Sequence, residues 1–307
     1  VYPDGGGNPD WVRWFMAIQA EAPGLAFTYV QVGQENSFTW NKMARGFQIQ
    51  IPMIAEWAKA GKLEVETLAD TGRWFRSRFR VTPATAVVAM KDWRHEGRQT
   101  VWYDSRFYRV NLLWKGSDFH VRDIHVFDET YISPYYDTPL TQSACLYDTL
   151  PVLDGFHWST SREVAGLRLR RGNPAGAVDS ARILSVAVKE SGASELRVSC
   201  EIEGGDLFDI HCGEERLEFH VSSRHPRTEY FLAMTWSPDR NPPIEAVTRD
   251  TITYVHRGFS YRIRCLRGYF TIMNAGPSAK SGGLPYQGIA MVPEQGAVIL
   301  DLRQQEG

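Results

Sequence analysis

The sequence predicts an α+β, multidomain chain in which a partial β/α-barrel segment is followed by a large antiparallel β-sandwich. Two observations predict it. Residues 1–82 alternate β-rich runs with polar turns and helical runs, as in AFTYVQV, GQENSFTWN, a helix to Lys59, and KLEVETL. Beyond Thr82-Pro83, β-branched and aromatic residues alternate with polar ones in short runs, and turn signals recur at roughly ten-residue intervals. The boundaries are therefore 1–82 for the barrel-like part and 83–307 for the sandwich, with 98–129 a β-hairpin at their interface.

Taken in order, VYPDGGGNP is a glycine-rich loop without Walker or Rossmann spacing, so it reads as a connection. Asn8 is suited to cap a helix that carries Pro9 at its first position, and Trp11, Trp14, Phe15 and Ile18 give that helix an apolar side. Pro23-Gly24 ends it. AFTYVQV reads as a strand closed by Gly33. Met43, Phe47, Ile51, Ile54, Ala55 and Ala58 predict a helix over 41–59, with Pro52 as a kink or break. A strand over 62–68 leads directly into a helix over 70–78. In the β-region, Lys115-Gly116-Ser117-Asp118 is a hairpin turn, and 131–153, with Pro134, Pro139 and Pro151, reads as loop. Strands then follow in VAGLRLRR, ARILSVAVKE, ELRVSCEIEG, LFDIHC, RLEFHVSS, EYFLAMTW, TITYVHRG, YRIRCLRG, YFTIMNAG and GAVILDLR. Two β/α units cannot close a barrel, and the first residue is Val, so the rest of a barrel is expected upstream.

Composition removes several function classes. With 43% hydrophobic and 23% charged residues in 307, the chain can bury a large core. A net charge of −2 with mixed signs provides no basic face, which argues against nucleic acid and anionic lipid as partners. No run reaches the ~18 apolar residues of a membrane span, and no signal segment is visible, so the chain reads as soluble. The four cysteines lack CxxC spacing, and His120 and His125 are wrongly spaced for one metal, so neither a metal nor a cofactor is expected. Cys200 and Cys212 read as buried thiols or as a cross-strand pair. No GxSxG is present.

Glu35 and Asp70 fall just past the ends of the two expected strands, where a parallel layout gathers its active-site groups. Two carboxyls flanking one bond are what glycoside hydrolysis needs, although Thr67 and Asp70 equally fit a capping box. Gln34, Asn36 and Trp40 lie beside Glu35 as candidate sugar contacts. Asp104, Arg106 and Tyr108 are expected to share one strand face, as are Asp123 and His125. They join Arg122 and Asp128 in a polar stripe flanked by Trp102 and Trp114. That stripe reads either as a sugar cleft or as a cross-strand ion-pair network at a domain interface. His157 and Trp158 in GFHWST are candidate loop contacts.

VGQENSF, VETLADTGRWF, the junction VTPATAVVAM, and VWYDSRFYRVNLLW followed by RDIHVFDE carry a resemblance over about a third of the chain. It is to uncharacterised bacterial glycoside-hydrolase-like proteins with a distorted β/α barrel followed by a β-sandwich, similar to the amylopullulanase-like and α-mannosidase-like families. The resemblance implies the C-terminal portion of a glycoside hydrolase acting on an oligo- or polysaccharide, with a late-strand Asp at the position of Asp70. The earlier-strand nucleophile of those families has no counterpart here. The alternative is a non-catalytic carbohydrate-binding or scaffold protein.

Overall fold

The computed structural model describes residues 6–32, 39–141, 149–176, 178–273 and 288–304. Three helices come first: α1 (Pro9–Ala20), α2 (Trp40–Lys59) and α3 (Leu68–Arg78). As the sequence indicates, Asn8 caps α1 by accepting from the Asp10 and Trp11 amides, with proline at the first helical position. Helix α2 runs through Pro52. The carbonyl four residues earlier, on Gln48, loses its in-helix donor, and Gln48 is exposed to water that can replace it.

Among the described residues eighteen strands follow. They are β1 (Thr85–Ala89), β2 (Arg98–Asp104), β3 (Tyr108–Lys115), β4 (Asp118–Val126), β5 (Leu150–Asp154), β6 (Gly166–Gly172), β7 (Val178–Ser180), β8 (Ile183–Gly192) and β9 (Glu195–Ile202), then β10 (Leu207–Cys212), β11 (Arg216–Ser222), β12 (Tyr230–Thr235), β13 (Ile244–Val247), β14 (Thr251–His256), β15 (Phe259–Arg267), β16 (Tyr269–Met273), β17 (Gly288–Val292) and β18 (Ala297–Asp301). Ten form one sheet in the order β1-β2-β3-β4-β6-β12-β17-β16, with β5 added to β4 and β7 to β6. Eight form a second sheet, β13-β14-β15-β18-β11-β10-β9-β8.

The two sheets share one apolar core, the arrangement of a β-sandwich. Period-two alternation builds it: Tyr108, Val110, Leu112 and Trp114 of β3 face Leu196, Val198 and Cys200 of β9 and Phe208 and Ile210 of β10, all buried. Trp114, Phe119, Phe208 and Phe219 form a ring chain across the interior, with successive centroids 5.0, 5.6 and 6.1 Å apart. Tyrosine hydroxyls tie sheet to sheet at its margins. Tyr103 donates to the Ser194 carbonyl at 2.8 Å and Tyr261 to the Pro151 carbonyl at 2.7 Å. Cys200 and Cys212 settle as buried thiols: Cys200 lies opposite Phe208 and Cys212 opposite Leu196, so they are not cross-strand neighbours.

The barrel-like expectation is not met among the described residues, where every ladder is antiparallel. Residues 26–32 and 62–68, expected as strands, form none. Their β-formers have no partner edge, and Val30, Val32 and Val65 stay exposed. Instead, a single bridge from Leu25 to Thr85 lays the chain along β1, while Glu190 of β8 accepts from the Gly24 and Leu25 amides at 3.1 and 2.9 Å. This strap joins the edges of both sheets. Four strands escaped the sequence reading: β5, β7, β13 and β17. No helix among the described residues is long and apolar enough to cross a membrane.

Candidate functional site

Since Val101 and Tyr103 of β2 enter the core, Trp102 and Asp104 project from the opposite face of the ten-stranded sheet. Arg109 and Asn111 do the same on β3. On β4 a bulge at Arg122 resets the alternation, so that Asp123 and His125 join that outer face while Ile124 stays in the core. The register then lines these residues up in two rungs. One runs Trp102, Asn111, Asp123, Asp154 across four strands, and the next runs Asp104, Arg109, His125. Neighbouring positions on a rung are about one strand spacing apart, roughly 5 Å.

Four of these side chains are polar and nearly sealed: Asn111, Asp123, His125 and Asp154 are 1%, 5%, 4% and 7% exposed. Buried polar groups need partners, and most are present. Asp123 accepts from the Gly155 amide at 3.0 Å and from Arg122 Nε at 2.6 Å. Asp154 accepts from the Phe156 and His157 amides, and its other oxygen lies 2.6 Å from His157 Nδ1. His125 Nδ1 is 2.8 Å from Thr149 Oγ1. Gly155 is required here: a Cβ would meet the Arg122 carbonyl oxygen at 2.6 Å, so no larger residue lets this turn close over β4. Arg109 and Arg122 lie over the half-buried Trp102 ring, 6.0 and 5.5 Å from its centroid. The Arg109 Nε is buried without a partner, a donor left for something other than the protein.

The carboxyls divide by environment. Burial raises Asp104 above the ordinary carboxylate range, partly offset by Arg109. Burial alone would raise Asp154 too, but the His157 amide and ring outweigh it and hold it below that range. Burial first, and then Arg109, push His125 down to about 4, so its imidazole is neutral near pH 7. The His157 ring is exposed, anchored to Asp154 at Nδ1. The face thus offers one carboxyl shifted up, one shifted down, two guanidinium groups and an oriented imidazole beside a flat indole.

The candidates from sequence sort unevenly onto this face. Asp104, His125 and His157 belong to it. Arg106 and Tyr108 do not, because Ser105 makes a tight turn that restarts the alternation: its amide donates to the Tyr108 carbonyl, and its hydroxyl accepts from the Phe107 and Tyr108 amides. Tyr108 therefore sits in the core, its hydroxyl 2.9 Å from both the Gly213 and Arg216 carbonyls, while Arg106 pairs with Glu214 at 2.8 Å. Trp114, expected to flank the stripe, is likewise in the core. Trp158 is buried against Trp236. Trp40 opens α2, exposed and stacked on Phe47. Asp70 is exposed in the capping box of α3, held below the carboxylate range by the Thr67 hydroxyl and then by Arg73. Glu35, Gln34 and Asn36 lie outside the described residues. Trp102, expected to flank the stripe, stands on the face, while Arg109, Asn111 and Asp154 complete it without having been named from sequence. The polar Asn111 inside YRVNLLW was the available signal.

A cavity of about 550 Å³ opens elsewhere, lined by Tyr230, Tyr269, Thr271, Glu229 and neighbours. Glu229 is the one ionisable acid or base in its described lining apart from tyrosine, too little for paired acid–base work.

Fold and site together define a two-sheet antiparallel β-protein with a built polar face on its larger sheet. No family model matches the chain, and no curated protein matches it significantly.

Proposed function

We propose that this chain is a carbohydrate-active protein whose ligand, an oligo- or polysaccharide, lies along the two polar rungs of the ten-stranded sheet. The observation that carries this reading is the concentration of Asn111, Asp123, His125 and Asp154 around Trp102 and its two guanidinium neighbours. Vicinal hydroxyls suit forked guanidinium and carboxylate partners, and a sugar ring suits an indole face. Binding groups held on paired strands are also pre-organised.

A hydrolytic role is supported by one further observation, the burial that raises Asp104 above the ordinary carboxylate range. A carboxyl with a raised pKa is what the acid of a glycosidic cleavage needs, and its partner would be a carboxylate other than Asp154, which the register sets three strands away. In this reading Asp104 is the acid. Asp70, ionised on an exposed helix turn, suits only a base or nucleophile role.

A glycan array on the purified chain, followed by hydrolysis assays on the sugars it retains, tests both parts. Asp104→Asn is expected to lower turnover about 10²–10⁴-fold while leaving the array pattern intact. Retention of sugars without turnover by the parent would leave binding as the function. An array with no retained glycan would count against the whole reading.

A further inference from the structure

The smaller sheet carries a second polar constellation on its own outer face. Phe208, Ile210 and Cys212 of β10 and Leu217 and Phe219 of β11 enter the core. Asp209, His211, Glu218 and His220 therefore point away from it. Register sets His211 directly opposite Glu218, with His220 two pairs along on the same face, opposite Asp209. We propose that His211, Glu218 and His220 form a binding site for a divalent transition-metal ion, with Zn²⁺ the best-fitting member of that class.

The donor atoms of the three residues all lie within 4.8 Å of one another. Glu218 Oε2 is 2.9 Å from His220 Nε2 and 3.9 Å from His211 Nδ1, and the two imidazole centroids are 4.7 Å apart. Ligands at about 2.0–2.1 Å from a tetrahedral zinc ion sit roughly 3.4 Å from each other. Small side-chain rotations bring all three donors to that spacing without moving the strands.

His211 supplies the second observation. Its Nδ1 is beyond hydrogen-bond distance of Glu218, and its Nε2 is buried with no partner. A buried ring nitrogen with no partner is an unmet donor or acceptor. Coordination by one ring nitrogen of His211 resolves part of that deficit. The Arg197 cation on β9 is drawn toward Asp209, 3.0 Å away, which tempers its repulsion of a metal. Imidazole and carboxylate donors select zinc and its neighbours over calcium or magnesium. Three protein ligands leave a fourth position for water.

The test uses the full, tag-free chain with Zn²⁺ and Co²⁺ as the probes. Co²⁺ is expected to give the intense visible bands of a four-coordinate ion, abolished by one equivalent of Zn²⁺. His211→Ala and His220→Ala are each expected to weaken Zn²⁺ binding by at least about 10–100-fold, with His220→Gln as the milder change should alanine disturb the sheet. His95→Asn, remote from the cluster, should bind like the parent. Saturating Zn²⁺ should raise the thermal midpoint of the parent and not of the His211/His220 double variant. A cobalt spectrum that stays six-coordinate, or zinc binding that survives the double variant, would overturn the assignment.

Discussion

Replacing Trp114 with alanine is expected to cost about 3–5 kcal/mol of unfolding free energy, the range for deleting a large buried aromatic. Trp114 is fully buried. It stands at one end of the ring chain through Phe119 and Phe208 to Phe219, which links the two sheets. The loss therefore combines the transfer cost of the indole with a cavity between sheets that are pinned by their own ladders and cannot collapse far. Urea unfolding of the parent and the variant measures it. Trp114→Phe, which refills part of the space, keeps the experiment readable if the alanine variant does not fold. A cost below about 1 kcal/mol for the alanine change would mean that the two sheets do not depend on a common interior.

Acidification should produce the second large effect, and it should begin well above the carboxylate range. His125 and His120 are 4% and 9% exposed, and burial pushes each down to about 4. Around His125 stand Arg109, Asp154, Asp123 and His157; around His120 stand Arg168, Asp118, Arg122 and Asp123. The folded chain keeps both rings neutral where the unfolded chain, titrating near 6.5, takes up protons. Their contribution is complete above 6.5 and is lost progressively as the pH falls toward 4. At about 1.4 kcal/mol per pH unit and group, pH 5 should remove roughly 2 kcal/mol through each. Asp104 acts with the opposite sign. Its raised pKa means that the folded state holds a proton the unfolded chain releases, so its effect favours the fold at lower pH and offsets part of the loss. Urea midpoints at pH 7 and pH 5 should fall accordingly, and His120→Gln should flatten the dependence by about half. A stability independent of pH over that interval would show that these histidines are solvated.

The β-region was largely legible because one physical rule governs it. In ELRVSCEI, LFDIHC and RLEFHVS the period-two alternation marks the core face directly, and the structure buries Leu196, Val198, Phe208, Ile210, Leu217 and Phe219 accordingly. Alternation fails where the chain resets it. The Ser105 turn sends Tyr108 inward although it is spaced by two from Arg106 and by four from Asp104, and the bulge at Arg122 returns Asp123 and His125 to one outer face. Both are properties of tight local hydrogen bonding that residue types alone do not announce. Asp154 was hidden because Pro151 made LPVLD read as loop. The strand survives because the paired residues around that proline meet β4 across an irregularity in register. The runs AFTYVQV and KLEVETL show the converse: β-propensity without a partner edge produced no ladder. Cross-strand register, which brings His211, Glu218 and His220 together, depends on turn lengths between strands and was not readable from spacing along either strand.

The most direct measurement of the proposed ligand face is a calorimetric titration of Trp102→Ala, beside the parent, with the best-retained oligosaccharide from the array. Trp102 is half-buried on the outer rung and takes no part in the shared core, so the variant should fold as the parent does. Its affinity should fall by at least about tenfold, the equivalent of ~1.4 kcal/mol. Undiminished affinity in a folded Trp102→Ala protein would contradict the account and move the sugar off these strands.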